Sequence, residues 1–153
     1  MDARTEIKPI NDLRDYVDAL DRHGQLHRVT TEVDWKYELC HVSKVNEEQK
    51  GPALMYENVK GYDIPVFTSA FTTSQRLAIA LEQDPSLSMS QLSKAWMQLT
   101  TKQMIKPAFV DKPPVMENII EGDAVDIEKF PSPWFYPDDG GRFFVTAGYL
   151  VTK

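Results

Sequence analysis

Gly51-Pro-Ala-Leu-Met-Tyr-Glu-Asn-Val-Lys-Gly-Tyr-Asp-Ile-Pro-Val-Phe-Thr68 is the stretch that decides the fold. Gly51 and Pro52 stop whatever helix precedes them. Ala53 to Val59 then reads as a strand, bulky and partly alternating. Lys60-Gly61-Tyr62-Asp63 is a turn. Ile64 to Thr68 is a second strand, hairpin-paired with the first or lying beside it. Pro65 has no backbone donor, so it belongs among that strand's first residues or on an edge. Helical spacing flanks the two strands on both sides. The expected fold class is therefore α/β (α+β), a small sheet covered by helices.

Upstream, Asn11 and Asp12 precede Leu13, Tyr16, Val17 and Leu20. Spacings of three and four make one apolar stripe, with an Asx cap before it and Gly24 after it. Leu26 to Val33 reads as a short strand. A second helix over about 37–49 places Leu39, Val42 and Val45 on one face. Downstream, Thr72-Thr73-Ser74 caps a third helix, Gln75 to Glu82, whose stripe is Leu77, Ala78 and Leu81. A fourth, from about Met89 to Met104, carries Leu92, Ala95, Trp96 and Leu99. Beyond it the chain turns proline-rich, with six of its ten prolines from Pro107 onward. This shift divides the chain into an N-terminal domain (1–105), a linker (106–114) and the beginning of a second domain (115–153). Val115 to Ile120 has strand character. Phe144 to Val151 alternates as a terminal strand, which needs a partner for its backbone groups. A chain that stops on such a strand reads as cut from something longer.

Composition excludes several function classes. Of 153 residues, 26% are charged and the formal net charge is −6, with no Lys/Arg cluster of the kind nucleic acid attracts. Cys40 is the single cysteine, so no intrachain disulfide framework exists. No run approaches the roughly 20 apolar residues of a membrane span, and no signal peptide opens the chain. A cytoplasmic protein is expected.

Chemistry-bearing residues are few. Cys40 and His41 are adjacent on a helix and point about a third of a turn apart, so they read as a core and a boundary residue instead of a metal pair. His23 suits a helix C-terminus, and His27 a surface strand. Met89, Met97 and Met104 read as core packing on the fourth helix. The one cluster with functional promise is Asp138-Asp139-Gly140-Gly141-Arg142. It is a turn before a strand, or a backbone nest with Arg142 placed to receive a carboxylate or phosphate. Thr146 and Gly148 share a strand face, where a hydroxyl beside a bare position suits a flat ligand or tight sheet packing.

Two blocks resemble the UbiD family of carboxy-lyases. Gly51 to Tyr62 with Ile64-Pro65-Val66 is similar to that family's N-terminal domain. Asp126-Ile-Glu-Lys-Phe-Pro-Ser-Pro133, then Asp139 to Arg142 and Thr146-Ala-Gly148, resembles the start of its central domain, a flavin-binding split barrel. The resemblance implies reversible decarboxylation of an aromatic or α,β-unsaturated carboxylic acid with prenylated FMN, Mn2+ and K+. It implies that Thr146 and Gly148 line the cofactor and substrate cavity, and that Asp139, Gly140, Gly141 and Arg142 form the turn feeding that strand. The family's metal ligand and Glu-Arg-Glu network follow the strand. No catalytic or metal-binding residue is therefore assigned to this chain, which is expected to bind no cofactor and to be inactive alone. Its expected partners are the remainder of its own polypeptide and, in the parent enzyme, a small acid substrate and further copies in a homo-oligomer. The alternative is a non-catalytic subunit or interaction domain that docks on a larger partner through its terminal strand.

Overall fold

The computed structural model describes residues 8–102 and 106–142. Asp12 opens α1 (Leu13–Arg22) by accepting from the Asp15 backbone N–H, and His23 caps its far end. Strand β1 (Leu26–Val29) follows, then α2 (Glu38–Glu48), β2 (Ala53–Tyr56) and β3 (Val66–Thr68). Helices α3 (Ser74–Ala80) and α4 (Met89–Thr100) complete the layer. Thr73 caps α3 with its side chain, and Ser88 with Gln91 forms a reciprocal capping box on α4.

The sheet order is β1-β2-β3. Strand β1 pairs parallel to β2 with Leu26 opposite Ala53, and β2 pairs antiparallel to β3 with Tyr56 opposite Val66. A parallel pair needs a crossover, which α2 supplies. Alternation along β2 sends its side chains to two cores. Ala53 joins Tyr16, Ala19, Leu20 and Ile79 beneath α1 and α3. Leu54 and Tyr56 join Leu39, Val33 and Val59 on the α2 side. The expected architecture, a small sheet covered by helices, is the one present.

Several details differ from the sequence expectations. The 26–33 strand ends at Val29, and Val33 pairs separately with Val59. Leu13, placed in the α1 stripe, is 62% exposed. On α2 the buried face is Leu39, Cys40 and Ser43, while Val42 and Val45 face outward. The buried Tyr56 hydroxyl explains this rotation. It needs a partner, and Ser43 Oγ lies 2.9 Å from it and 3.0 Å from Thr68 Oγ1. Val115 to Ile120 forms no strand. Consecutive prolines set up a 3-10 turn at Pro114–Met116 instead, and Val115, Ile119 and Ile120 are exposed.

Helix α3 buries Arg76 along with Ala78 and Ile79, and leaves Leu77 and Leu81 half-buried. Helix α4 buries only Leu92. Met89, Trp96 and Met97 are exposed and line a groove of about 410 Å³ against Leu77 and Leu81, so the expectation of core packing for these methionines fails. Met104 lies outside the described residues, as does the expected terminal strand. Among the described residues no helix is long and apolar enough to cross a membrane.

Candidate functional site

The Asp138–Arg142 segment is a turn, and its geometry begins with a reciprocal pair of bonds. Asp139 N–H donates to the Tyr136 carbonyl at 3.1 Å, and Tyr136 N–H donates to Asp139 Oδ2 at 3.0 Å. Gly141 follows at φ +148, where a side chain would be strained. Among the described residues, neither Gly140 nor Gly141 has a heavy atom within 4 Å of where a Cβ would stand.

Arg142 does not project as a free cation. Its Nε donates to the Ser132 carbonyl at 2.9 Å. Its Nη2 donates to the Phe130 carbonyl at 2.9 Å and to the Tyr62 hydroxyl at 2.7 Å. The guanidinium lies 4.2 Å over the Trp35 ring and 5.5 Å from that of Tyr62. A planar fork can do all of this at once; an ammonium cannot. The side chain joins the 130–142 segment to the turn after β2 and to the residues ahead of α2.

Two further ties hold the same segment. A short parallel bridge runs between Lys36 and Trp134. In it Tyr37 N–H donates to the Trp134 carbonyl at 2.9 Å, and Trp134 N–H donates to the Trp35 carbonyl at 3.2 Å. Lys36 Nζ sits 4.7 Å over the Trp134 ring, and Tyr37 meets that ring edge-on. Farther along α2, His41 and Lys44 both contact the Tyr136 ring.

Between α2 and this segment lies a cleft of about 400 Å³, walled by Leu39, Cys40, Phe135 and Tyr136 with Ser43 and Thr68 in its lining. The Cys40 thiol is pushed up to about 11, first by burial and then by the charge of Asp139. It is protonated at neutral pH and is no nucleophile. His41 is exposed while Cys40 is buried, so the two diverge as their spacing implied. Among the described residues no group of three or more His, Cys, Asp or Glu is placed to hold a metal ion. His41, Lys44 and Glu47 complete the polar side of the cleft's lining.

Of the sequence-predicted site residues, Arg142 is thus brought against the N-terminal layer, while Asp139 bonds to Tyr136 within its own segment. Thr146 and Gly148 lie outside the described residues. Sequence reasoning missed Trp35, Tyr62 and Trp134: Trp35 and Tyr62 meet across 27 residues, and the 130–142 segment joins them through contacts across 80 residues or more. No local pattern marks them beyond their being aromatic.

Comparison with known proteins places this geometry. Residues 17–96 match the 3-octaprenyl-4-hydroxybenzoate carboxy-lyase N-terminal domain (UbiD_N), and residues 108–153 match the Rift-related domain of the same enzyme class (UbiD). An uncharacterized protein of Synechocystis, sll0936, is 30% identical over 161 residues, covering 93% of this chain and 32% of that protein. Vanillic acid decarboxylase of Sedimentibacter hydroxybenzoicus, in its open form, superposes with a TM-score of 0.79 at 26% identity, over 88% of this chain and 30% of that one. The UbiD-class enzyme HmfF from Pelotomaculum thermopropionicum, in complex with FMN, gives 0.67 at 27% identity, over 85% and 28%. An evolved dimeric form of HmfF with prFMN gives 0.68 at 28% identity, over 85% and 29%. The chain therefore spans about a third of the length of the relatives it matches. Both family domains, in order along one chain, make it a member of the UbiD family of carboxy-lyases.

Proposed function

We propose that this chain is the N-terminal part of a decarboxylase that removes CO2 reversibly from an aromatic or α,β-unsaturated carboxylic acid. The observation that carries this reading is the match to both UbiD domains in sequence order, together with the fold shared with a vanillic acid decarboxylase. Prenylated FMN is the proposed cofactor, supported by the HmfF structures with FMN and with prFMN. When bound, it supplies an electron sink for the loss of CO2. The division into a domain at 1–105, a linker at 106–114 and the opening of a cofactor domain at 115–153 is part of the same proposal.

The described residues have a structural share in that reaction. They build a layer and hold the 130–142 segment against it; Thr146 and Gly148, which the proposal assigns to the cofactor cavity, follow in sequence. Mn2+ and K+ are proposed as further cofactors of the parent enzyme, held by the part that the relatives carry beyond the matched third. The chain alone is proposed to be inactive because it spans only about a third of its relatives' length; the parent enzyme is proposed to be a cytoplasmic homo-oligomer, and its remaining polypeptide this chain's immediate partner.

The test compares the full-length protein with the 153-residue chain, each reconstituted with prenylated FMN and Mn2+. Exchange of labelled bicarbonate into a panel of aromatic and α,β-unsaturated acids is followed. Exchange by the full-length protein alone is expected. Flavin bound one-to-one by the short chain would overturn the division of labour, and a full-length protein that neither binds flavin nor exchanges carboxylate would overturn the activity.

A further inference from the structure

We infer that the groove between α3 and α4 is an interface at which a second copy of this chain docks, helix against helix, about a two-fold axis. This names a contact surface for the homo-oligomer proposed above; it rests on that part of the reading and not on the chemistry. The argument starts from how little of α4 the fold uses. A helix of 12 residues is marginal alone and is held by what its apolar face packs against. Here α4 buries Leu92 and no other side chain. Beside Leu92, Met89, Ser93, Trp96 and Met97 follow at spacings of three and four, which makes a second stripe on the helix. That stripe stands open: Met89 is 54% exposed, Trp96 51% and Met97 64%. Leu77 and Leu81, one turn apart, wall the groove from the α3 side. The polar residues of α4, Gln91, Lys94 and Gln98, lie on the remaining side, so the open stripe is not the helix's solvated face.

Four observations favour a second copy as the occupant. The hydroxyls on this side of α4 are already satisfied within the helix: Ser93 Oγ donates to the Met89 carbonyl at 2.9 Å, and Thr100 Oγ1 to the Trp96 carbonyl at 3.0 Å. Covering them therefore orphans nothing. The charge is suited to self-contact. The chain carries a net −6, so two copies repel over most of their surface, yet from Leu87 to Thr101 the one charged residue is Lys94, off the stripe. Two acidic copies can meet here without setting like charges against each other, and interface cores are depleted in charge and enriched in Trp and Met. The shape is self-complementary. The protruding Trp96 and Met97 and the recess lined by the small Ser93 belong to one face, so in a two-fold contact the knob of each copy enters the recess of the other. The layout directs the chain's own continuation elsewhere. Helix α3 packs on the Ala53 side of the sheet. Arg142 stacks on Trp35 and bonds Tyr62, both of which pack on the core at the Leu54 and Tyr56 side. At Arg142 the chain thus stands across the sheet from this groove.

The test uses the full-length protein with Met97→Glu, and with Gln98→Glu as a control that adds the same charge to the solvated side of the same helix. Size exclusion with light scattering gives the mass of the assembly at matched protein concentrations, and thermal melting checks folding. Met97→Glu would bury a carboxylate, and its copy's, in the contact. It is expected to lower the assembly mass about twofold or more while melting as a folded protein; Gln98→Glu is expected to keep the wild-type mass. An unchanged mass for folded Met97→Glu would overturn the inference and assign the groove to the protein's own remaining polypeptide or to solvent. Equal loss of mass in both variants would overturn it as well, because the effect would then not belong to one face. If Met97→Glu does not fold, Met89→Glu decides on the same readout, since an acidic residue in the first turn suits the helix dipole. A wild-type protein that is monomeric overturns both the inference and the proposed homo-oligomer. The decarboxylase reading stands or falls separately, on carboxylate exchange.

Discussion

Arg76 offers a test in which the volume of a buried side chain can be separated from its charge. It is fully buried on α3. Its Nη1 donates to the Gly51 carbonyl at 2.9 Å and its Nη2 to Thr72 Oγ1, while Nε is buried without a partner among the described residues. Burial holds its pKa below the usual arginine value, so the site already bears a desolvation cost. Arg76→Met keeps most of the stem and loses both bonds. Bonds to a charged group contribute about 1.5–3 kcal/mol each, and relief of several kcal/mol of desolvation offsets most of that. The net loss expected is about 1 kcal/mol. Arg76→Ala loses the same bonds and also opens a cavity beside the Gly51 carbonyl and Thr72, for which Met→Ala truncations suggest about 2–5 kcal/mol more. Urea unfolding of the chain, followed by tryptophan fluorescence, should therefore separate the variants by about 2 kcal/mol or more. Equal losses would refute the reasoning, because they would make the guanidinium, and not the volume it fills, the stabilising element.

Three smaller tests follow from other buried groups. Tyr56→Phe removes a hydroxyl 2.9 Å from Ser43 Oγ that also donates to the Leu39 carbonyl at 3.3 Å; a loss of about 1–2 kcal/mol is expected, and an unchanged Tm would mean Ser43 turns inward for another reason. Cys40, with its thiol pushed up to about 11, should react slowly with a disulfide reagent at pH 8 in the native chain and quickly in urea, whereas rapid native labelling would contradict its burial. Stability should also fall at alkaline pH. Burial pushes Tyr16 up to about 12 from 10.0 and Cys40 up to about 11 from 9.0, so the unfolded chain releases these protons first. Their contribution is complete below about pH 9 and is lost as pH rises through 9–11 for Cys40 and 10–12 for Tyr16. A Tm that stays level from pH 9 to 12 would count against both assignments.

The helices and strands could be read from the sequence because their signals are local. Apolar spacing in α1, the Thr73 cap, and the Gly51-Pro52 stop before β2 each act within a few residues. What could not be read depends on partners far along the chain. Helix α2 turns Ser43 inward because Tyr56, thirteen residues later, has a hydroxyl to satisfy. Arg76 is tolerated in the core because the Gly51 carbonyl, twenty-five residues earlier, receives it. On local pattern Arg142 reads as a cation beside a turn, and only the folded layer brings Trp35 and Tyr62 to it. The outward face of α4 and the exposed apolar residues of 106–127 mislead for the opposite reason. Amphipathic spacing announces that a face will be covered, without saying by what.

The Lys36–Trp134 bridge also bears on how the protein is made. Its two sides are 98 residues apart in sequence, the kind of long-range pairing whose loop-closure entropy delays it in folding. On a ribosome the β1-α2-β2 unit emerges complete while Trp134 is still unsynthesised. From Tyr62 to Trp134, at roughly 5–20 residues per second, the wait is on the order of 4–14 s. Through that interval Trp35, Tyr37 and Tyr62 present an aromatic surface with nothing yet to cover it. The nascent layer is then a docking platform waiting for its own later sequence, and a chaperone able to shield that surface would have a defined window in which to act.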